Sequence, residues 1–259
     1  MTGGHGRGVD LDLDLAGRAA IVTGAGGGIG RAVAEHLAEA GVSVGVVDVN
    51  GGAAGGAASG ITASGGRAAA VRADVASPGD AETAVRTVLQ AFGRIDILVN
   101  CAGIYPFSPA LDMTVDEWER VIGVNLTGAF LLSRQVLPIM VERRFGRIIN
   151  ICSGHAYRGG TGHAHYAASK AGLLGLTRAL AREMGPYGIR VNAIVPSVTD
   201  TAMPRQHHGE DYLHERARGN PAGRIGSPSD IALGVVYLSS RWAEYVNGHA
   251  LMITGGDLM

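Results

Sequence analysis

Seven short apolar segments recur along the chain, and each is nearly continuous in apolar residues instead of alternating with polar ones. Strands that are buried on both faces of a sheet have this pattern. The segments cover residues 19–24, 42–49, 68–74, 94–100, 146–153, 189–195 and 249–254. Stretches that predict helices lie between them, at about 29–40, 79–91, 115–143, 165–184 and 228–240. This alternation predicts a doubly wound parallel α/β sheet of about seven strands, with helices on both faces.

The length of 259 residues suits a single domain, and no repeat or break in composition indicates a second one. Residues 1–16 predict a flexible N-terminal arm, which leaves 17–259 as the folded domain. A formal charge of −1 argues against a nucleic-acid-binding face. No apolar run reaches the ~18 residues that a membrane-spanning helix needs. We therefore expect a cytoplasmic protein that binds neither nucleic acid nor membrane.

Two stretches fit the helix pattern poorly. Residues 50–66 should form a crossover helix, but they are so rich in glycine that we expect a frayed one. Pro138 falls inside the 115–143 pattern, where a proline should kink the helix.

A glycine-rich segment, TGAGGGIG at 23–30, follows the first predicted strand and opens a helix. Gly24 would permit the tight turn, Gly28 would let the backbone approach a pyrophosphate, and Gly30 would let helix and strand pack closely. The free N–H groups and the positive end of the helix dipole would then meet the phosphate charge. The segment predicts a dinucleotide site on a Rossmann-type sheet.

An acid, Asp48, closes the second predicted strand. A carboxylate there can accept two hydrogen bonds from the ribose diol of adenosine, and it would repel a 2′-phosphate. Neither Gly27 nor Val49 offers a cation for that phosphate. The sequence therefore favours NAD over NADP.

Lys170 is the only lysine in the chain, although lysine and arginine together number 22. A planar guanidinium can replace an ammonium on a solvated surface, but not where a compact charge is required. Tyr166 precedes Lys170 by four residues, so the two share a face of the predicted helix.

Several segments in order resemble the short-chain dehydrogenase/reductase (SDR) family, from about residue 17 to the end: TGAGGGIG, NCAG (100–103), GVNLTGAF (123–130), GRIINICSG (146–154), YAASKAG (166–172) and IRVNAIVPS (189–197). The resemblance implies a single-domain Rossmann fold and a catalytic tetrad of Asn125, Ser153, Tyr166 and Lys170. It also implies a set of cofactor-binding residues: Gly24, Gly28, Ile29, Gly30, Asp48, Asp74, Val75, Asn100, Ala102, Gly103, Tyr166, Lys170, Pro196, Thr199 and Thr201.

Chemical reasoning assigns a role to each member of the tetrad. A free phenol has a pKa near 10, and we expect the Lys170 ammonium and an oxidised nicotinamide to lower the pKa of Tyr166. Tyr166 would then exchange a proton with an alcohol or a carbonyl, while Ser153 holds the reacting oxygen. Asn125 is expected to position a water that links Lys170 to solvent. Hydride transfer belongs to the cofactor.

The predicted substrate pocket contains Tyr105, Phe107, His155, Tyr157 and Met203. These side chains favour a medium-sized, mostly apolar ketone or secondary alcohol. The resemblance implies a substrate lid over 197–225. The histidines at 155, 163 and 165 have no acid or cysteine that would complete a metal site, so no metal is predicted.

Two other functions stay open. A 3-oxoacyl-thioester reductase usually carries a polar stretch where this chain has CAGIYPF, and it usually prefers NADP. A non-catalytic, NAD-sensing regulator could use the same fold, although such proteins typically lose the Tyr or the Lys. The resemblance also implies a homotetramer.

Overall fold

The computed structural model describes residues 12–207 and 209–258. Its strands are β1 Ala19–Thr23, β2 Ser43–Asp48, β3 Arg67–Arg72, β4 Ile97–Asn100, β5 Gly146–Ile151, β6 Ile189–Pro196 and β7 Ala250–Ile253. All pair in parallel in one sheet, in the order β3-β2-β1-β4-β5-β6-β7. The predicted doubly wound parallel sheet is confirmed.

Helices cover both faces of this sheet. They are α1 Gly28–Glu39, α2 Gly51–Ala63, α3 Pro78–Phe92, α4 Val115–Ile122, α5 Gly128–Arg143, α6 His155–Arg158, α7 Ala164–Met184, α8 Ala202–His207, α9 Glu210–Gly219 and α10 Pro228–Ser239. One apolar cluster joins the sheet to α1, α2 and α10, and a second joins it to α3, α5 and α7. Each fully buried Leu, Ile or Val in these clusters contributes roughly 1.5–3 kcal/mol to folding.

Burial along the strands follows their position in the sheet. The inner strands β1, β4 and β5 are buried along their whole length, as their apolar runs predict. The prediction of burial on both faces is wrong for β3 and β7, which are largely half-exposed or exposed. These two strands are the edges of the sheet, so each has a neighbour on one side only.

The glycine-rich crossover forms a complete helix, so the expectation of fraying is wrong. The side chain of Asn50 accepts hydrogen bonds from the N–H groups of Gly52 and Ala53 at the start of α2. Ala54, Ala57 and Ile61 bury one face of α2 in the core. Tertiary packing and this cap supply the stability that the glycines lack.

The predicted helix over 115–143 is one continuous helical stretch with an irregular centre. Gly123–Thr127 adopts a π-helical turn between α4 and α5, while α5 itself continues through Pro138. By length and hydropathy alone, this stretch is the one among the described residues that could span a membrane. Val136 and Met140 are nevertheless fully buried against the sheet, as in a core helix of a globular domain.

The folded domain begins earlier than the predicted boundary at residue 17. Leu15 is 1% exposed within the core, and Leu13 packs against the same cluster. The Leu13 carbonyl also accepts a hydrogen bond from the backbone of Arg241. Residues 12–16 are therefore part of the domain, whereas residues 1–11 of the predicted arm lie outside the described residues.

Candidate active site

A cleft of about 750 Å³ lies at the carboxyl ends of the strands. Its walls come from the segments that follow β1, β2, β4, β5 and β6. The strand order reverses between β1 and β4, and doubly wound sheets bind their ligands at such a reversal. The fold therefore brings the predicted dinucleotide loop and the predicted tetrad to the same edge of the sheet.

The glycine-rich turn depends on close backbone contacts. A Cβ on Gly30 would lie 2.2 Å from the carbonyl oxygen of Gly24, and a Cβ on Gly24 would lie 2.8 Å from Cα of Ala102. Gly24 also has a φ of +63°, a backbone angle that residues with a side chain rarely adopt. Gly28, Ile29 and Gly30 open α1 and line the cleft, where free N–H groups suit an anion.

Asp48 lines the same part of the cleft and organises the backbone around it. One carboxylate oxygen accepts a hydrogen bond from the N–H of Gly26 at 2.9 Å, and the other accepts one from the N–H of Asn50 at 2.9 Å. The carboxylate thus joins the glycine turn to the start of α2. Its position at the end of β2 is the one predicted for a ribose-binding acid.

Tyr166 and Ser153 meet at the centre of the cleft. Ser153 follows β5, and Tyr166 lies in the first turn of α7. Burial raises the pKa of the Tyr166 phenol above its ordinary value, and a hydrogen bond with Ser153 opposes this rise. The sequence argument expected a lowered pKa. Burial in the protein instead raises the pKa of Tyr166, so the phenol stays protonated and can act as a proton donor.

Lys170 is 4% exposed and lies one turn along α7 from Tyr166. Its Nζ donates a hydrogen bond to the carbonyl oxygen of Ile151 at 2.8 Å and lies 5.7 Å from the centre of the Tyr166 ring. Burial lowers the pKa of the Lys170 ammonium, whereas the nearby thiols of Cys152 and Cys101 oppose that shift. The ammonium therefore reaches the cleft beside the phenol without a direct contact with its oxygen.

Asn125 lies in the π-helical turn and is 2% exposed. Its Oδ1 accepts a hydrogen bond from the N–H of Ile104 at 2.8 Å, and its Nδ2 donates to the Ile104 carbonyl and to Oγ of Ser169. Asn125 therefore fixes the chain after β4 rather than forming part of the cleft wall. A Cβ on Gly103 would lie 3.3 Å from its Oδ1 and 3.6 Å from Nζ of Lys170.

The other half of the cleft carries polar aromatic side chains. Oη of Tyr105 and Nε2 of His155 are 3.1 Å apart, and Nδ1 of His155 is 3.5 Å from Oγ of Ser153. The Tyr105 ring stacks on His163 and meets Tyr166 edge-on at 4.6 Å. Burial, together with Tyr212, raises the pKa of Tyr105 to about 12. These groups offer hydrogen bonds to a substrate next to Ser153.

Most predicted site residues line the cleft, and six do not. The residues outside its walls are Asp74, Val75, Asn100, Asn125, Phe107 and Tyr157. Asn100 donates its hydrogen bonds inside the core, to Asn150 among others. Phe107 packs on His163 and is 61% exposed, and Tyr157 is 46% exposed. The two aromatic rings thus do not provide the apolar pocket that the sequence predicted.

Sequence reasoning also missed part of the wall. The additional lining residues are Gly26, Gly27, Val49, Asn50, Ala53, Cys101, Ile151, Cys152, Gly154, Arg158, Ser197, Val198, Ala202, Pro204 and Tyr212. Most of them are next to predicted positions in the sequence, so the predicted strand ends already indicated this part of the cleft wall. Arg158 and Tyr212 had no such signal. Among the described residues, no group of three His, Cys, Asp or Glu side chains could hold a metal ion.

A doubly wound sheet with a glycine turn, a strand-end acid and a Ser–Tyr–Lys group in one cleft defines a nucleotide-dependent oxidoreductase. Comparison with known proteins agrees. A family model described as enoyl-(acyl carrier protein) reductase matches residues 24–257. The chain belongs to the short-chain dehydrogenase/reductase family, whose members bind a nicotinamide cofactor.

Three relatives illustrate the range of this family. The chain is 39% identical over 248 residues to the 3-oxoacyl-[acyl-carrier-protein] reductase FabG of Vibrio cholerae, covering 95% of this chain and 100% of that one. It is 36% identical over 256 residues to D-threitol dehydrogenase of Mycolicibacterium smegmatis, covering 99% and 98%. A solved structure of a candidate NAD(P) dependent gluconate 5-dehydrogenase from Beutenbergia cavernae, with NADP bound at low occupancy, has a TM-score of 0.89 and 41% identity, covering 95% and 98%.

Gly30→Ala should weaken cofactor binding, because the new methyl group would lie 2.2 Å from the Gly24 carbonyl oxygen and force the turn apart. Overpacking of this kind costs about 1–3 kcal/mol. We expect the Kd for NADH, measured by fluorescence titration, to rise about tenfold or more. Gly56→Ala is the matched control, since a Cβ on Gly56 meets nothing within 4 Å and Gly56 lies on α2 outside the cleft wall. Equal binding by both variants would contradict the close-packing argument.

Proposed function

We propose that the protein is an NAD(H)-dependent oxidoreductase that interconverts a secondary alcohol and a ketone. One observation carries this proposal: Ser153, Tyr166 and the buried Lys170, one helical turn from Tyr166, all line the cleft that the glycine turn opens. The bound cofactor supplies or accepts the hydride at the carbon. The protein supplies the proton, the position of the reacting oxygen and the exclusion of water.

In ketone reduction, Tyr166 gives its phenolic proton to the carbonyl oxygen while the carbon gains a hydride, so the C=O bond becomes a C–O–H group. The Ser153 hydroxyl hydrogen-bonds the same oxygen and stabilises the negative charge that develops on it. The buried Lys170 ammonium favours the phenolate that Tyr166 becomes. The reverse sequence oxidises the alcohol, with the phenolate as base.

The preference for NAD over NADP rests on Asp48. Its carboxylate lines the cleft near the glycine turn and would face the adenosine ribose, where it repels a 2′-phosphate. Arg72 lies opposite Asp48 in the register of β2 and β3, but it is not part of the cleft wall.

Asp48→Asn should shift cofactor preference towards NADP, because it removes the repulsion and leaves the side chain's size unchanged. We expect the ratio of kcat/KM for NADP to that for NAD to rise about tenfold or more, equivalent to about 1.4 kcal/mol. Asp74→Asn is the control, since Asp74 lies outside the cleft wall. If Asp48→Asn leaves the ratio unchanged, Asp48 does not select the cofactor.

A second candidate is reduction of a 3-oxoacyl thioester, favoured by the 39% identity to FabG of Vibrio cholerae. The two functions differ in substrate and in the expected cofactor. The test is nicotinamide absorbance at 340 nm with both cofactors and a panel of secondary alcohols, ketones and 3-oxoacyl thioesters. Turnover confined to the thioesters with NADPH would replace the first proposal by the second. Tight NAD binding with no turnover on any compound would indicate a sensor.

A further inference from the structure

An ion-pair cluster lies at the substrate end of the cleft, away from Asp48. Asp257 accepts hydrogen bonds from Oγ of Ser197 and from Nη2 of Arg216, the latter at 2.8 Å, and its carboxylate lies 3.1 Å from Nη2 of Arg158. Although burial alone would raise the pKa of Asp257, the hydrogen bond from Ser197 and the charge of Arg158 bring it below its ordinary value. Asp257 is therefore a carboxylate shared by two guanidinium groups.

The charges of this cluster do not balance. Among the described residues, two guanidinium groups share the one carboxylate of Asp257, which leaves one positive charge in excess. The excess charge is directed towards the cleft, because Arg158 lines it whereas Asp257 does not. Nε of Arg216 is buried and has no hydrogen-bond partner among the described residues. Arg216 is not part of the cleft wall, so an incoming anion would meet the charge and the N–H donors of Arg158.

Arg158 stands close to the reacting groups. Its guanidinium carbon would lie 3.8 Å from a Cβ on Gly154, the residue after Ser153. Its charge also opposes the raised pKa of Tyr105, which places it near that phenol. Of the described residues that line the cleft, three carry a charge: Asp48 at the nucleotide end, Lys170 at the centre and Arg158 here.

Polar side chains accompany Arg158 in the cleft wall, together with apolar ones such as Met203 and Pro204. Tyr105, His155 and Tyr212 line the cleft beside Arg158, whereas the aromatic rings of Phe107 and Tyr157 lie outside it. An apolar substrate that fills this end would displace water from the partly exposed guanidinium of Arg158 and would offer no hydrogen bond in return. That loss of hydration is unfavourable unless an anion replaces the water.

We propose that the substrate carries a carboxylate, which binds Arg158 while the reacting oxygen binds Ser153 and Tyr166. The substrate class is thus a hydroxy acid and its oxo acid rather than an apolar alcohol. This inference rests on the proposed function, because it concerns the same cleft and the same reacting group. Arg158 acts as a specificity-determining residue, through a charge-assisted hydrogen bond to the part of the substrate that does not react.

The experiment compares hydroxy acids of four to six carbons with their carboxamides, which have the same shape and no charge. For the wild type we expect kcat/KM for the best acid to exceed that of its carboxamide about tenfold or more. Arg158→Gln should lower kcat/KM for the acid about 10- to 100-fold and change the carboxamide value less than about threefold. Arg158→Lys should give a kcat/KM for the acid between the values of the wild type and of Arg158→Gln, because lysine keeps the charge and loses the planar fork.

Arg86→Gln is the matched control, since Arg86 forms an exposed pair with Glu82 on α3. A second readout does not depend on turnover. With NADH bound, the Kd of each hydroxy acid is measured by cofactor fluorescence, and Arg158→Gln should raise it about tenfold while the Kd of NADH stays the same. Thermal unfolding of each variant shows that it is folded.

Two results would overturn this inference while leaving the proposed function intact. In the first, the wild type oxidises neutral alcohols as well as it oxidises the acids. In the second, Arg158→Gln lowers kcat/KM for each acid and for its carboxamide by the same factor. In the second case Arg158 would only hold Asp257 and Ser197 in place. If the wild type turned over no alcohol at all, the proposed function would fail, and the Kd of the acids would still decide whether Arg158 binds a carboxylate.

Discussion

Tyr166→Phe should nearly abolish turnover, because it removes the hydroxyl that exchanges the proton and leaves the ring in place. General acid–base catalysis contributes about 10²–10⁴-fold to rate, so we expect kcat to fall within that range. The Kd for NADH should change less than about twofold, since the ring packing against Tyr105 and His155 is retained. Stopped-flow and steady-state measurements with one cofactor and the best substrate of the panel check both values.

Tyr157→Phe is the control for this substitution. It removes the same hydroxyl from a nearby tyrosine that lies outside the cleft and is 46% exposed. Its kcat should match that of the wild type. A Tyr166→Phe variant with more than about a tenth of wild-type kcat would show that another group supplies the proton, because a loss so small is below the usual contribution of a general acid.

Lys170→Arg is expected to lower kcat about 100-fold, equivalent to about 2.7 kcal/mol of transition-state stabilisation. The charge is kept, so the expected loss comes from shape. Nζ of Lys170 lies between the Ile151 carbonyl and Gly103, where a Cβ would be 3.6 Å away. A guanidinium is larger, planar and forked, and it cannot occupy that position without displacing one of these segments.

The matched control makes the opposite exchange on the same helix. Arg178 lies two turns further along α7 on an exposed face, so Arg178→Lys should leave kcat unchanged. Wild-type turnover by Lys170→Arg would mean that any cation suffices. The single lysine of this chain would then need an explanation other than catalysis.

The sequence was informative where function depends on the ends of strands. The glycine turn, Asp48, Ser153 and Pro196 each follow or close a strand that its continuous apolar run identifies, and parallel strands bring their ends to one edge. Tyr166 and Lys170 are four residues apart, and this spacing predicted that they share one face of a helix. Relations of this kind are local, so they can be predicted without a structure.

Relations over long sequence distances could not be predicted in this way. Arg158, Arg216 and Asp257 meet only because α6, α9 and the C-terminal segment pack together, and no local pattern marks them. Phe107 was expected in the pocket, but its ring packs over Gly162 and His163 instead. Burial in the folded chain, which raises the pKa of Tyr166, could not be read from the sequence either, and the lowering expected from Lys170 with an oxidised nicotinamide stays a prediction.

The π-helical turn has a consequence for changes in chain length. A π turn holds about one residue more than an α turn, so 115–143 is in effect a regular helix with a single insertion at 123–127. Deleting one residue there would close the turn into a regular α-helix and leave α5 in nearly the same orientation relative to α4, whereas a deletion elsewhere in 115–143 would rotate the residues after it by about 100°. Asn125 would lose its position opposite Ile104 when the turn closes. Libraries of point substitutions never sample this change, whereas single-codon deletions should be tolerated by the fold at 123–127 better than in α4 or α5.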